Sequence, residues 1–116
     1  MQNLVSKKEE EERRLKALAE YRILGTKPES CYDDITKIAA TTCNVPISLM
    51  TLVDKDKQWF KSKIGLQISE TRRDWSFCTH AIKENSPLII HDAFQDERFI
   101  NNPLVTGDPK IRFYAG

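Results

Sequence analysis

With 116 residues, 40% of them hydrophobic and 30% charged, the chain has the make-up of one soluble globular domain, neither disordered nor collagenous. Eighteen Lys plus Arg against seventeen Asp plus Glu leave a net charge of +1, too small a field to draw the protein to nucleic acid or to an anionic membrane. No stretch approaches the roughly 20 apolar residues of a membrane span and the N-terminus lacks a secretory segment, so a cytoplasmic location without membrane contact is expected.

Residues 3–24 hold neither Pro nor Gly and carry Lys7-Lys8-Glu9-Glu10-Glu11-Glu12-Arg13-Arg14. Glu9 with Arg13, Glu10 with Arg14 and Glu12 with Lys16 stand at i,i+4 spacing, which predicts one helix. Its first half is polar all round, whereas Leu15, Leu18, Ala19 and then Arg22 with Ile23 begin an apolar stripe, so only the second half is expected to dock on a core. The charge run suits either a solvated helix or one strand of a coiled coil through Leu4, Leu15 and Leu18, and the heptads are too few to choose. Gly25 is expected to end the helix, and Thr26-Lys27-Pro28-Glu29 has the form of a capping box with proline in the first turn of a second helix.

In residues 28–43, Tyr32, Ile35, Ile38 and Ala39 recur at helical steps and predict the face that packs on a sheet. Residues 47–53 are apolar at every position but Ser48 and Thr51, the pattern of a central strand covered on both sides. Asp54-Lys55-Asp56-Lys57 is a polar turn, after which residues 58–64 alternate, with Phe60 and Ile64 on one side and Trp59, Lys61 and Lys63 on a wet face. Gly65 closes that hairpin, and a polar loop leads to a helix over residues 75–83 that Asp74 or Ser76 caps. Pro87 precedes a buried run, Leu88-Ile89-Ile90-His91, followed by a long polar segment with one helical turn at residues 97–99. Ile111, Phe113 and Ala115 alternate with Arg112 and Tyr114 as in a strand. The order helix, helix, strand, strand, helix, strand, strand gives an α+β fold with an antiparallel sheet.

Cys31, Cys43 and Cys78 are widely spaced and form no C-x-x-C pair, so each is expected to be a reduced, buried small hydrophobe. Cys78-Thr79-His80 at a helix start is the most reactive-looking constellation, because a helix N-terminus lowers a thiol pKa. Residues two apart nevertheless point about 200° from each other on a helix, which favours core or capping roles. His91 beside Asp92 lacks a third ligand for a metal, and no metal site is expected. Trp59 and Trp75 read as pocket lining or as hydrophobic cover.

Tyr32-Asp33-Asp34-Ile35-Thr36, Leu52-Val53-Asp54 with Gln58-Trp59-Phe60-Lys61, Ser76-Phe77-Cys78-Thr79-His80-Ala81-Ile82, and Asn102-Pro103-Leu104-Val105 with Ile111-Arg112-Phe113-Tyr114-Ala115-Gly116 occur in this order. Together these runs resemble a subfamily of GAF domains, the small-molecule-sensing and dimerising modules of bacterial signalling proteins. The resemblance covers residues 15–116 and leaves residues 1–14 as a charged helical extension suited to signalling or dimerisation. It implies a GAF/PAS-like antiparallel sheet flanked by helices, here expected to lack its last strands and C-terminal helix. Residues 47–53 would then present an unpaired edge, and the chain alone is expected to be unstable or oligomeric.

The same resemblance implies a regulatory domain without catalysis of its own, covalently linked to an output such as a histidine kinase or diguanylate cyclase. It would bind an unidentified small molecule, pair as a homodimer through its helices, or serve as a ligand-free spacer. Trp75, Phe77, Cys78, His80, Asp92, Arg112 and Tyr114 are the implied ligand wall, with Arg112 either an anchor for an acidic ligand or a surface ion pair. Neither a bilin-attachment signature nor the Asn-Lys-Phe-Asp-Glu motif of cyclic-nucleotide-binding relatives is present, and no cofactor is assigned. A few relatives reduce free methionine sulfoxide with cysteines, but no resolving pair is visible here.

Overall fold

The computed structural model describes residues 6–116, so the start of the predicted N-terminal helix, Leu4 included, lies outside the described residues. The chain divides into two compact units, Met1–Glu70 and Thr71–Gly116. Helices and antiparallel sheets make it α+β. No helix among the described residues is long and apolar enough to cross a membrane.

In the first unit, helix α1 (Lys7–Tyr21) begins where Ser6 Oγ accepts from the Glu9 amide at 3.2 Å. It stops at Arg22, in the left-handed conformation at φ 50°, rather than running to Gly25. Leu18 is buried and Leu15 half-buried, while residues 7–10 are exposed. Among the described residues the ion pair on this helix is Glu11 with Arg14 at 2.8 Å, one residue closer than the predicted spacing. Arg14 is diverted because its guanidinium also donates to the Val53 carbonyl.

Helix α2 (Ser30–Cys43) packs against strands β1 (Ser48–Val53) and β2 (Lys57–Ile64). The predicted apolar face does not do the packing. Thr36 is buried and Tyr32 and Ala40 are half-buried, whereas Ile35 and Ile38 stay 53% and 64% exposed and Ala39 faces solvent. The helix is turned so that Asp33 and Thr36 meet the hydroxyl of buried Ser62, at 2.6 and 2.7 Å. A buried polar group needs a partner, and here that need overrides the apolar period. The rotation also leaves Cys31 and Cys43 exposed, against the expectation of buried thiols.

The Asp54 amide closes the hairpin on the Lys57 carbonyl at 2.7 Å. Up to Met50↔Ser62 the register is regular, but the next pair is Thr51↔Phe60, which leaves Lys61 as an extra residue on β2. Such a bulge breaks the period-two alternation. Phe60, Lys61 and Ser62 are consequently all buried, and the expected wet face is wrong at Lys61, with only 3% of the residue exposed. With β3 (Glu70–Arg72) the sheet order is β1-β2-β3, so β1 is an edge strand and only Val53 in it is buried, not the centre of a covered sheet.

The second unit holds short elements. A 3-10 turn (Arg73–Trp75) and the four-residue helix α3 (Cys78–Ala81) replace the single helix expected over residues 75–83. Strands β4 (Ile89–Ile90) and β5 (Tyr114–Ala115) pair antiparallel. The run at 88–91 is not uniformly buried, since Ile89 is 53% exposed and His91 faces solvent. Residues 111–112 are not strand because the Ile111 amide donates to Leu104 and the Arg112 carbonyl accepts from Ala93. Inward positions are therefore Ile111 and Tyr114, with Phe113 53% exposed. Helix α4 (Pro103–Thr106) was not anticipated, although Asn102 accepting from the Leu104 amide ahead of Pro103 is a regular start signal.

Candidate functional site

The second unit has a core of Phe77, Ile90, Ala93, Phe99 and Val105, with Leu88, Ile111 and Tyr114 packed against it. Ser76 positions the start of α3, its hydroxyl accepting from the Thr79 amide at 3.1 Å. The Phe77 and Phe99 rings stack at 4.2 Å, Tyr114 tilts over Phe77 at 5.2 Å and His80 stands edge-on to Phe99 at 5.0 Å. The Tyr114 hydroxyl donates to Cys78 Sγ at 3.3 Å. Burial, reinforced by that thiol, pushes the Tyr114 phenol well above its ordinary range. Burial and the nearby cations Lys83 and Arg98 lower the His80 pKa, so its ring favours the neutral form. Asp96 is held down to about 2, chiefly by its hydrogen bonds from Arg98.

Four of the seven sequence-derived wall residues, Phe77, Cys78, His80 and Tyr114, thus come together around one aromatic stack. Phe77, at 3% exposure, is a core residue rather than a free wall. The other three make contacts of their own within the unit. The Trp75 carbonyl accepts from Asn102 Nδ2 at 2.9 Å. Asp92 caps the 3-10 turn Ala93–Gln95 by accepting from the Phe94 amide. The Arg112 guanidinium donates to the Val105 carbonyl at 2.9 Å and lies 4.9 Å from the Phe94 ring centre. Among the described residues no group of three or more His, Cys, Asp and Glu side chains could hold a metal ion.

Thiol access separates the three cysteines. Cys31 and Cys43 are exposed, while Cys78 is half-buried beneath the Tyr114 hydroxyl. Alkylation of the folded chain, followed by peptide mapping, is expected to modify Cys78 roughly tenfold more slowly than the other two, since exposure and thiolate character set the rate. Equal rates would mean that Tyr114 does not shield it.

The first unit contains a polar cluster that sequence reasoning missed. A cleft of about 610 Å³ runs between α2 and β2, lined among others by Thr26, Asp33, Thr36, Trp59, Ser62 and Ile64. At its edge the Lys61 side chain is fully buried, its ammonium 2.7 Å from Thr26 Oγ1, 2.6 Å from the Lys27 carbonyl and 2.7 Å from Glu29 Oε2. This explains why the predicted capping box fails: Thr26 and Glu29 serve Lys61, and Glu29 precedes α2 with no side-chain cap bond. The one sequence signal was Thr36 between helical apolar positions, facing a Lys-Ser pair in a strand.

The sequence pattern of the GAF domain matches residues 27–116. The chain is also 37% identical over 108 residues, 93% of its length, to a cyclic di-GMP phosphodiesterase of Pseudomonas aeruginosa. It spans only 18% of that enzyme.

Proposed function

The chain belongs to the GAF domain family, and from that premise we propose that it senses a small molecule and thereby controls an enzyme of cyclic-dinucleotide turnover joined to it in one polypeptide. It is a regulatory signalling domain; the input and the output are the proposed parts. The observation that carries the output is the 37% identity to a cyclic di-GMP phosphodiesterase of which the chain spans 18%. That favours a phosphodiesterase or cyclase output over a histidine kinase. For the input, the half-buried Cys78 thiol, the Tyr114 hydroxyl and the His80 ring supply polar contacts on an aromatic stack, the mixture small-molecule sites use. Catalysis is assigned to the output and not to these residues.

A second reading, a ligand-free module that dimerises through helices, draws on Ile35 and Ile38, which α2 holds outward. Native mass spectrometry of the full-length protein separates the two. Bound mass beyond the polypeptide, lost on Tyr114→Ala, is expected for the sensor. An empty dimer that Ile38→Glu dissociates would replace it with the second reading.

A further inference from the structure

Helix α1 holds to its unit by little apolar surface, because Leu18 is its single buried residue, helped by half-buried Leu15 and by Ile23 and Leu24 just beyond its end. Polar contacts complete the attachment at two places. Near the middle of the helix, Arg14 donates to the Val53 carbonyl at the end of β1. Past its C-terminus, the connector to α2 supplies Thr26 Oγ1, the Lys27 carbonyl and Glu29 Oε2 to Lys61.

We propose that α1 and its connector form a detachable arm, latched to the sheet by the two cations Arg14 and Lys61, and that docking and release of this arm is how the domain reports its state. The role in signalling rests on the regulatory function proposed above; the latch itself does not. An ammonium has three protons, and the three acceptors of Lys61 all lie within four residues of the connector. Lifting the connector strips all three at once, so they are lost together rather than one by one. Lys61 reaches the connector because it is the extra residue of the β2 bulge. Loss of that bulge would shift the register by one and turn the side chain to the opposite face.

Amide hydrogen exchange on the chain, compared with Lys61→Met and Arg14→Gln, tests the latch. Both substitutions are expected to speed exchange across residues 7–29 by about tenfold or more while residues 30–53 keep protection within roughly twofold, the pattern of a local opening. Unchanged exchange in 7–29, or equal acceleration through 7–64, would overturn it. Should Lys61→Met fail to fold, Arg14→Gln alone gives the same reading, because Arg14 is only partly buried. Exchange reports the latch whether or not an output is controlled. A working latch with no change in the full-length protein's output activity would reject the regulatory reading and keep the arm.

Discussion

Phe99→Ala is expected to cost the second unit roughly 3–5 kcal/mol, the range for emptying a buried aromatic site. Phe99 is 1% exposed, stacks on Phe77 and receives the edge of His80, so its removal takes a ring contact from each of them. A unit of this size, Thr71–Gly116, has few other buried side chains to collapse into the space. The loss is comparable to much of a typical domain's whole stability, so amides of β4, β5 and α4 should lose their exchange protection together. Phe113→Ala is the control, since Phe113 is 53% exposed and its loss should stay within about 0.5 kcal/mol. If Phe99→Ala leaves the Ile90 and Tyr114 amides as protected as before, the aromatic stack is not what holds this unit.

Gly65→Ala should disrupt the β1–β2 hairpin. Gly65 has φ +84°, and a Cβ there would stand 2.1 Å from the Pro46 carbonyl oxygen and 3.1 Å from Ile47 Cγ1. The left-handed conformation alone costs about 1–2 kcal/mol for a residue with a Cβ. The clash adds to it, because the oxygen belongs to backbone that leads directly into β1 and moves only if the strand start moves. Gly25 separates the two effects: its φ is +74° but nothing lies within 4 Å of an added Cβ. Denaturant unfolding should therefore show Gly25→Ala losing about 1 kcal/mol and Gly65→Ala losing at least about 2 kcal/mol more. Equal losses would show that the Pro46 approach is relaxed in solution.

Part of this molecule was legible from residues a few positions apart. Ser76 caps the helix that follows it, the 54–57 turn closes a hairpin, and Gly65 ends it. These are local transactions between a side chain and backbone within about four residues, and the sequence pattern displays them directly. The family, too, was readable, because its short runs keep their order along the chain. In the candidate site, the grouping of Phe77, Cys78, His80 and Tyr114 follows from the resemblance, Asp92 makes a local cap, and the bonds of the Trp75 carbonyl with Asn102 and of Arg112 with the Val105 carbonyl are ones that no spacing rule reveals.

What only the tertiary structure decided concerns buried polar groups and strand register. One extra residue on β2 sends Lys61 into the interior, Lys61 then claims Thr26 and Glu29 and prevents the capping box, and Ser62 turns α2 until Asp33 and Thr36 face it. That rotation exposes Ile35, Ile38, Cys31 and Cys43. By itself the sequence determined the α+β class, most element positions and the family, through local capping, turn chemistry and motif order. The faces those elements present were set by the need of each buried donor and charge for a partner distant in the chain, a constraint that a periodic pattern does not contain.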